Sequence, residues 1–283
     1  MTHDENPVRT LLCQLIDYAG LFPPAGLDMD SAVRNYAAYF AGEHSWMLGR
    51  FIVPFDRLEE FERAARPYFT DREWRVSLLG ASAKTLLRGR GYVVDAIEQK
   101  AERMERIGPG SAIPTYYEVA TSDPDAPMEG VIEAIARIGA RAKIRTGGLT
   151  AGAFPAASRI ARFLRLCHQA GVLFKATAGL HHPIRGVYPF TYESDSACGE
   201  LCGFLNVFLA AAMTFNGATE SETTLMLEEK STKAFRIADQ SIGWHSYLFT
   251  AAEIRDLRER FAIGFGSCSF EEPVSDLKAL GFL

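Results

Sequence analysis

The chain has 283 residues, 48% hydrophobic and 23% charged, with 30 basic residues scattered among 35 acidic ones for a formal charge of −5. These proportions exclude disordered, collagen-like and low-complexity chains, and a chain this long buries enough apolar surface to fold without a disulfide or metal staple. No basic cluster stands out, which argues against nucleic-acid binding through phosphate neutralisation, although net charge leaves the charge of any one cleft open.

The first strand is expected over residues 19–24, followed by a helix with Asp28 or Asp30 near its cap and Val33, Tyr36, Ala37 and Phe40 on one face. The N-terminal stretch before it carries Asp4, Glu5 and Asp17 around a short apolar run, without the basic region of a signal peptide. Residues 49–54 read as a second strand, 55–69 as helical spacing and 74–80 as a third strand. A long amphipathic helix is predicted over 92–106, then a strand over 113–120 and a helix over 127–139. The centre repeats the unit: strand and turn at 141–148, a helix at 155–171 closed by Gly171, and a strand at 172–180. A long loop or cap follows, then an apolar helix over 203–217, a second helix over 224–235 and a seventh strand near 235–238. An amphipathic helix at 251–261, a last strand within 261–270 and a short terminal helix complete the chain.

Eight strand–helix units imply parallel pairing and a single (β/α)8 TIM-type barrel over residues 1–283, least regular at the first and seventh strands. An open doubly wound sheet is the rival, but no GxGxxG or Walker A pattern follows the early strands. Five cysteines lie scattered without a CxxC pair, so a reducing cytoplasm is the simplest setting. No run approaches ~18 uninterrupted apolar residues, so no membrane span is expected.

Parity along the strands points to a site. Ala142 and Ile144 alternate with Lys143 and Arg145, and Phe174 and Ala176 with Lys175 and Thr177. Outward positions of a barrel meet apolar helix faces, so the polar set should turn inward, together with Tyr116, Glu118 and Arg50. Cations gathered there need Glu118, or a substrate carboxylate or phosphate, as counter-charge. A crowded lysine favours the neutral amine, which attacks carbonyls. A buried salt-bridge network is the plainer explanation of the same residues.

The segment FKATAG, residues 174–179, resembles the Lys-Thr-Ser-Thr-Gly motif of the deoxyribose-phosphate aldolase family, and AKIRTGG sits where that family has a lysine-bearing strand. The resemblance covers these two strands, departs from the motif at Ala176 and Ala178, and finds only Lys233 or Arg236 to offer as a second lysine on a following strand. It implies a Schiff-base lysine at Lys175. As a whole, with RTGG, KATAGLHHP and FGSCSFEEP, the chain is similar to an uncharacterised bacterial barrel family.

His181 and His182 form a second constellation. With Glu118, Glu193, Asp195 or Glu271 they could hold a divalent metal; His181 alone could act as a base, and both could simply pack the rim. Gly147 and Gly148, and Ser267 and Ser269 after the last strand, are candidate anion loops, while Cys268, of opposite parity, is expected to pack outward. Asn206 on an apolar helix is expected to serve a structural role.

The expected function is a carbon–carbon lyase or related carbonyl chemistry on a small anionic metabolite, without a cofactor. In this reading Lys175 is nucleophile or electrostatic catalyst, Lys143 its pKa-lowering neighbour, Arg145 the anion clamp, Glu118 or His181 the proton carrier, and Arg50, Thr177, Gly147, Gly148, Ser267 and Ser269 bind substrate. The rivals are a metal-dependent lyase or hydrolase using His181, His182 and Glu271, and a non-catalytic barrel binding an anion or a partner protein. Self-association is a further expectation.

Overall fold

A computed structural model describes residues 6–81, 88–100, 113–121 and 127–283; Asp4, Glu5 and the 101–106 part of the predicted long helix lie outside these. The strands are β1 (Ile16–Tyr18), β2 (Leu48–Pro54), β3 (Trp74–Leu79), β4 (Arg88–Gly89), β5 (Tyr92–Lys100), β6 (Thr115–Val119), β7 (Arg141–Arg145) and β8 (Phe174–Thr177). They continue with β9 (Gly186–Pro189), β10 (Cys198–Leu201), β11 (Phe235–Ala238), β12 (Ser241–Trp244), β13 (Tyr247–Phe249) and β14 (Ala262–Ser267). Eight of them, β1, β2, β3, β5, β6, β7, β8 and β14, pair in parallel in chain order, and β1–β14 closes the ring. This is a closed (β/α)8 TIM-type barrel with helices around it.

The helices are α1 (Pro7–Leu12), α2 (Met29–Ala41), α3 (Leu58–Ala65), α4 (Met128–Arg137), α5 (Ala157–Gln169), α6 (Phe204–Phe215), α7 (Glu220–Glu228), α8 (Ala251–Arg260) and α9 (Glu271–Ala279). Local chemistry sets many of their ends. Asp28, not Asp30, caps α2 by accepting from the Ser31 N–H at 2.7 Å. Thr219 with Glu222, and Thr250 with Glu253, form capping boxes on α7 and α8. The first of these starts α7 earlier than the expected 224, and the helix stops at Glu228 rather than running to 235.

Three strand expectations need correction. The segment 19–24 is a turn with a cis Pro23–Pro24 bond, and the first strand is Ile16–Tyr18 just before it. Phe235–Ala238 belongs to a separate antiparallel sheet, β11–β12–β13, outside the barrel. The fourth barrel strand is instead Tyr92–Lys100, expected to be helical. Its register against β3 slips between Val76↔Val94 and Ser77↔Ala96, a bulge at Asp95. One extra residue flips side-chain parity, so the alternation that marks a strand is broken midway and the run imitates helical spacing.

The core between ring and helices is aromatic near β2 and β3, where Tyr36 stacks on Phe51 (centroids 5.1 Å apart) and meets Trp74 edge-on at 4.8 Å. Helix α6 is buried nearly all round, as its largely apolar sequence requires. Its Asn206 is fully engaged: Oδ1 accepts from the Arg185 N–H at 2.8 Å, and Nδ2 donates to the Met226 and Glu229 carbonyls at 2.9 Å each. That amide is a structural tie. Among the described residues, no helix is long and apolar enough to cross a membrane.

Candidate functional site

The register of the ring builds a charged layer inside it. Glu118 lies opposite Lys143, and Lys143 opposite Lys175, across β6, β7 and β8. All three turn inward, where Glu98 of β5 joins them. Lys143 Nζ lies 3.1 Å from Glu98 Oε2 and 2.8 Å from Glu118 Oε2. Lys175 Nζ donates to the other Glu98 oxygen at 2.7 Å and to Asp17 Oδ2 at 2.6 Å. The two lysines therefore converge on one carboxylate.

The row continues toward the amino ends of the strands. Asp17 accepts from the Arg50 backbone N–H at 2.7 Å, and the Arg50 guanidinium grips Asp95 at 2.6 and 3.2 Å. Arg75 reaches the same Asp95 carboxylate at 2.7 Å. At the other end Arg145 lies 3.4 Å from Glu118. Acid and base alternate through the barrel: Arg75, Asp95, Arg50, Asp17, Lys175, Glu98, Lys143, Glu118, Arg145.

Electrostatics fix the charges along this row. Burial opposes ionisation of Lys175, but Asp17 and Glu98 outweigh it and hold the ammonium above the usual lysine range. Burial likewise opposes ionisation of Glu98, and Lys175 and Lys143 reverse this, holding it well below the usual carboxylate range. Glu118 is lowered as well, against its burial, by Lys143 and Arg145. The expectation that crowding would leave Lys175 neutral is thus reversed, because its nearest neighbours are carboxylates rather than Lys143. Lys175 is also 2% exposed and lies beneath the floor of the site.

Above this layer, a cavity of about 410 Å³ opens at the carboxyl ends of the strands, and Glu98, Lys143, Arg145 and Thr177 contribute to its lining. Loops supply the rest. The β9–β10 hairpin, inserted after β8, brings Phe190, Thr191 and Tyr192 over the cavity, and Phe22 and Pro23 approach from the turn after β1. Its walls are therefore part ionic and part apolar, the usual composition of a small-molecule site.

A second cluster lines the same cavity. His181 Nδ1 is 2.9 Å from Glu272 Oε2, and His181 Nε2 is 3.8 Å from Cys268 Sγ. Tyr192 donates to Glu272 at 2.5 Å and its hydroxyl sits 3.7 Å from the same sulfur. Burial disfavours the imidazolium, but the hydrogen bonds with Cys268 and Glu272 push His181 up to about 9. The cluster therefore favours the imidazolium form of His181. Cys268 faces this cavity and does not pack outward as its parity suggested, because it lies past the end of β14, where strand alternation no longer applies.

Other expected site residues are placed differently. Arg50 belongs to the amino end of the row, away from the cavity. Gly148 lines the cavity, whereas Gly147 is a packing glycine: a Cβ there would lie 2.9 Å from Gly179 Cα. Ser267 and Ser269 shape the turn into α9; the Ser269 N–H donates to Ser267 Oγ, and Ser269 Oγ accepts from the Glu272 N–H at 3.1 Å. The proposed metal set does not converge. His182 pairs with Asp276 at 2.6 Å and stacks on Tyr188, while Glu271 contacts Tyr39. Among the described residues, no group of three His, Cys, Asp or Glu is arranged to hold a metal ion.

Sequence reasoning missed Asp17, Asp95, Glu98, Tyr192 and Glu272. Compared with family models, curated proteins and solved structures, the chain matches none of them.

Proposed function

We propose that the protein is a carbonyl-chemistry enzyme of the carbon–carbon lyase type, with Lys143 rather than Lys175 as the amine that meets substrate. The observation that carries this reading is that, of the two lysines buried among the described residues, Lys143 lines the cavity, held between Glu98 and Glu118. In this reading Glu118 takes a proton from the Lys143 ammonium, and the free amine adds to the substrate carbonyl carbon. The carbinolamine hydroxyl leaves as water with the proton that Glu118 returns. The resulting iminium has the charge of the ammonium it replaces and sits between the same two carboxylates, so no new buried charge is created.

An iminium draws the electron pair of the adjacent carbon–carbon bond as a β-hydroxyl loses its proton to the Glu118 carboxylate. The enamine carbon is then protonated by the His181 imidazolium, which Glu272 orients and Cys268 and Tyr192 adjoin. Water hydrolyses the remaining iminium and returns Lys143 as the ammonium, while the proton held by Glu118 passes through solvent to His181 and restores both groups. Lys175 stays charged and fixes Glu98. Arg145, half exposed at the rim, suits a carboxylate or phosphate on a small substrate.

Borohydride reduction in the presence of a panel of aldehydes and keto acids, followed by peptide mapping, tests this directly. Reduced adducts are expected on Lys143 and lost in Lys143→Met. Adducts on Lys175 instead would reassign the amine, and no adduct across the panel would leave a cavity that binds anions without turning them over.

A further inference from the structure

A second cavity, of about 520 Å³, opens at the opposite, amino-terminal end of the barrel. Its walls come from α1, α8 and the first residues of β2, β3 and β14. Five arginines line it, Arg9, Arg50, Arg75, Arg255 and Arg258, against one carboxylate, Glu259, among the described residues. For a protein of net charge −5 this is a local inversion of sign.

The arginines differ in how they are compensated. Arg50 and Arg75 share Asp95, and Arg9 lies over the Trp46 ring with its guanidinium carbon 4.5 Å from the centroid. Arg258 donates to the backbone carbonyls of Leu11, Cys13, Ala262 and Ile263. No carboxylate of the described residues forms an ion pair with it, and burial pulls it down to about 10. Arg255, one helical turn away on α8, is exposed and likewise has no carboxylate partner among the described residues. A half-buried guanidinium whose partners are neutral carbonyls keeps an uncompensated positive charge, and an anion in the cavity would offset it.

We infer that this amino-end cavity binds a small phosphate-class anion carrying two or more charges, in a site separate from the carboxyl-end cavity. A tetrahedral oxyanion presents oxygens in several directions, matching guanidinium groups that arrive from α8 and β3 around one space; a single planar carboxylate would engage one fork. The volume accommodates two linked phosphoryl groups.

Inorganic pyrophosphate is the probe, read by thermal unfolding and calorimetric titration at ionic strength matched with potassium chloride. The wild-type chain is expected to show a saturable rise in unfolding temperature. Arg255→Glu, on an exposed helix face, is expected to raise the half-saturating concentration roughly tenfold or more, as loss of one charge-assisted contact implies. Arg75→Gln should act in the same direction, while Arg145→Gln at the other cavity should leave the titration unchanged. The inference is overturned by the absence of saturation in wild type, by an unaltered Arg255→Glu titration, or by loss in Arg145→Gln instead. Equal binding of citrate would overturn the phosphate assignment.

Discussion

Ala178 and Gly179 follow β8 with consecutive left-handed backbone, φ 61° and 72°, and deliver the chain to His181. An alanine in that region carries a steric cost that glycine lacks, and here Thr146 restrains it by donating to the Ala178 carbonyl at 2.6 Å. Ala178→Gly is therefore expected to stabilise by about 1 kcal/mol in denaturant unfolding. Gly147→Ala should do the opposite, costing roughly 1–3 kcal/mol, because its Cβ would also press on the Phe154 ring at 2.5 Å. Equal and small effects from both would show that the two turns are not interlocked. At this scale the inward lysines were legible, because β7 and β8 alternate without interruption. Their counter-charges were not. Glu98 is hidden by the bulge at Asp95, and Asp17 lies in a three-residue strand too short to show a period.

Among the elements, the count of eight barrel strands was reached through two compensating misreadings. The bulged strand Tyr92–Lys100 has a helix-like spacing, and the outlying antiparallel strand Phe235–Ala238 has the spacing of a ring strand. The β-branched and aromatic content of residues 92–97 was the available strand signal; a period-based reading overrides it when parity flips. Hydrophobic periodicity succeeds where the partner is a continuous apolar surface, as for α5 and α8. The end of α8 is also set by chemistry visible in the sequence, Thr250 followed three residues later by Glu253. Thr250→Ala is expected to cost about 1 kcal/mol by removing the acceptor for the Glu253 N–H. Unfolding by urea, with an unchanged slope, would measure it, and a loss below about 0.3 kcal/mol would mean the box contributes little beyond the packing of Ile254 and Leu257.

For the molecule as a whole, the row of alternating charges decides how damage spreads. Asp17 and Glu98 share the Lys175 ammonium, so neutralising either leaves a buried cation with one counter-charge fewer. Asp17→Asn and Glu98→Gln are each expected to cost on the order of 3–5 kcal/mol. The double variant should cost less than their sum by more than about 0.5 kcal/mol, because a lysine stripped of both carboxylates folds as the neutral amine. Simple additivity in the cycle would refute the shared-cation description.

The β9–β10 hairpin makes the carboxyl-end cavity a vestibule with a ceiling borrowed from a single excursion of the chain. Phe190 and Tyr192 hang from that excursion, and Tyr192 is moored to the opposite wall by one phenol–carboxylate contact with Glu272. Traffic in and out of the chamber must then pass between this ceiling and the rim. A guest that displaces Tyr192 from Glu272 would loosen the restraint on the His181 ring in the same movement, so that, under the proposed mechanism, admission and proton delivery would share one latch.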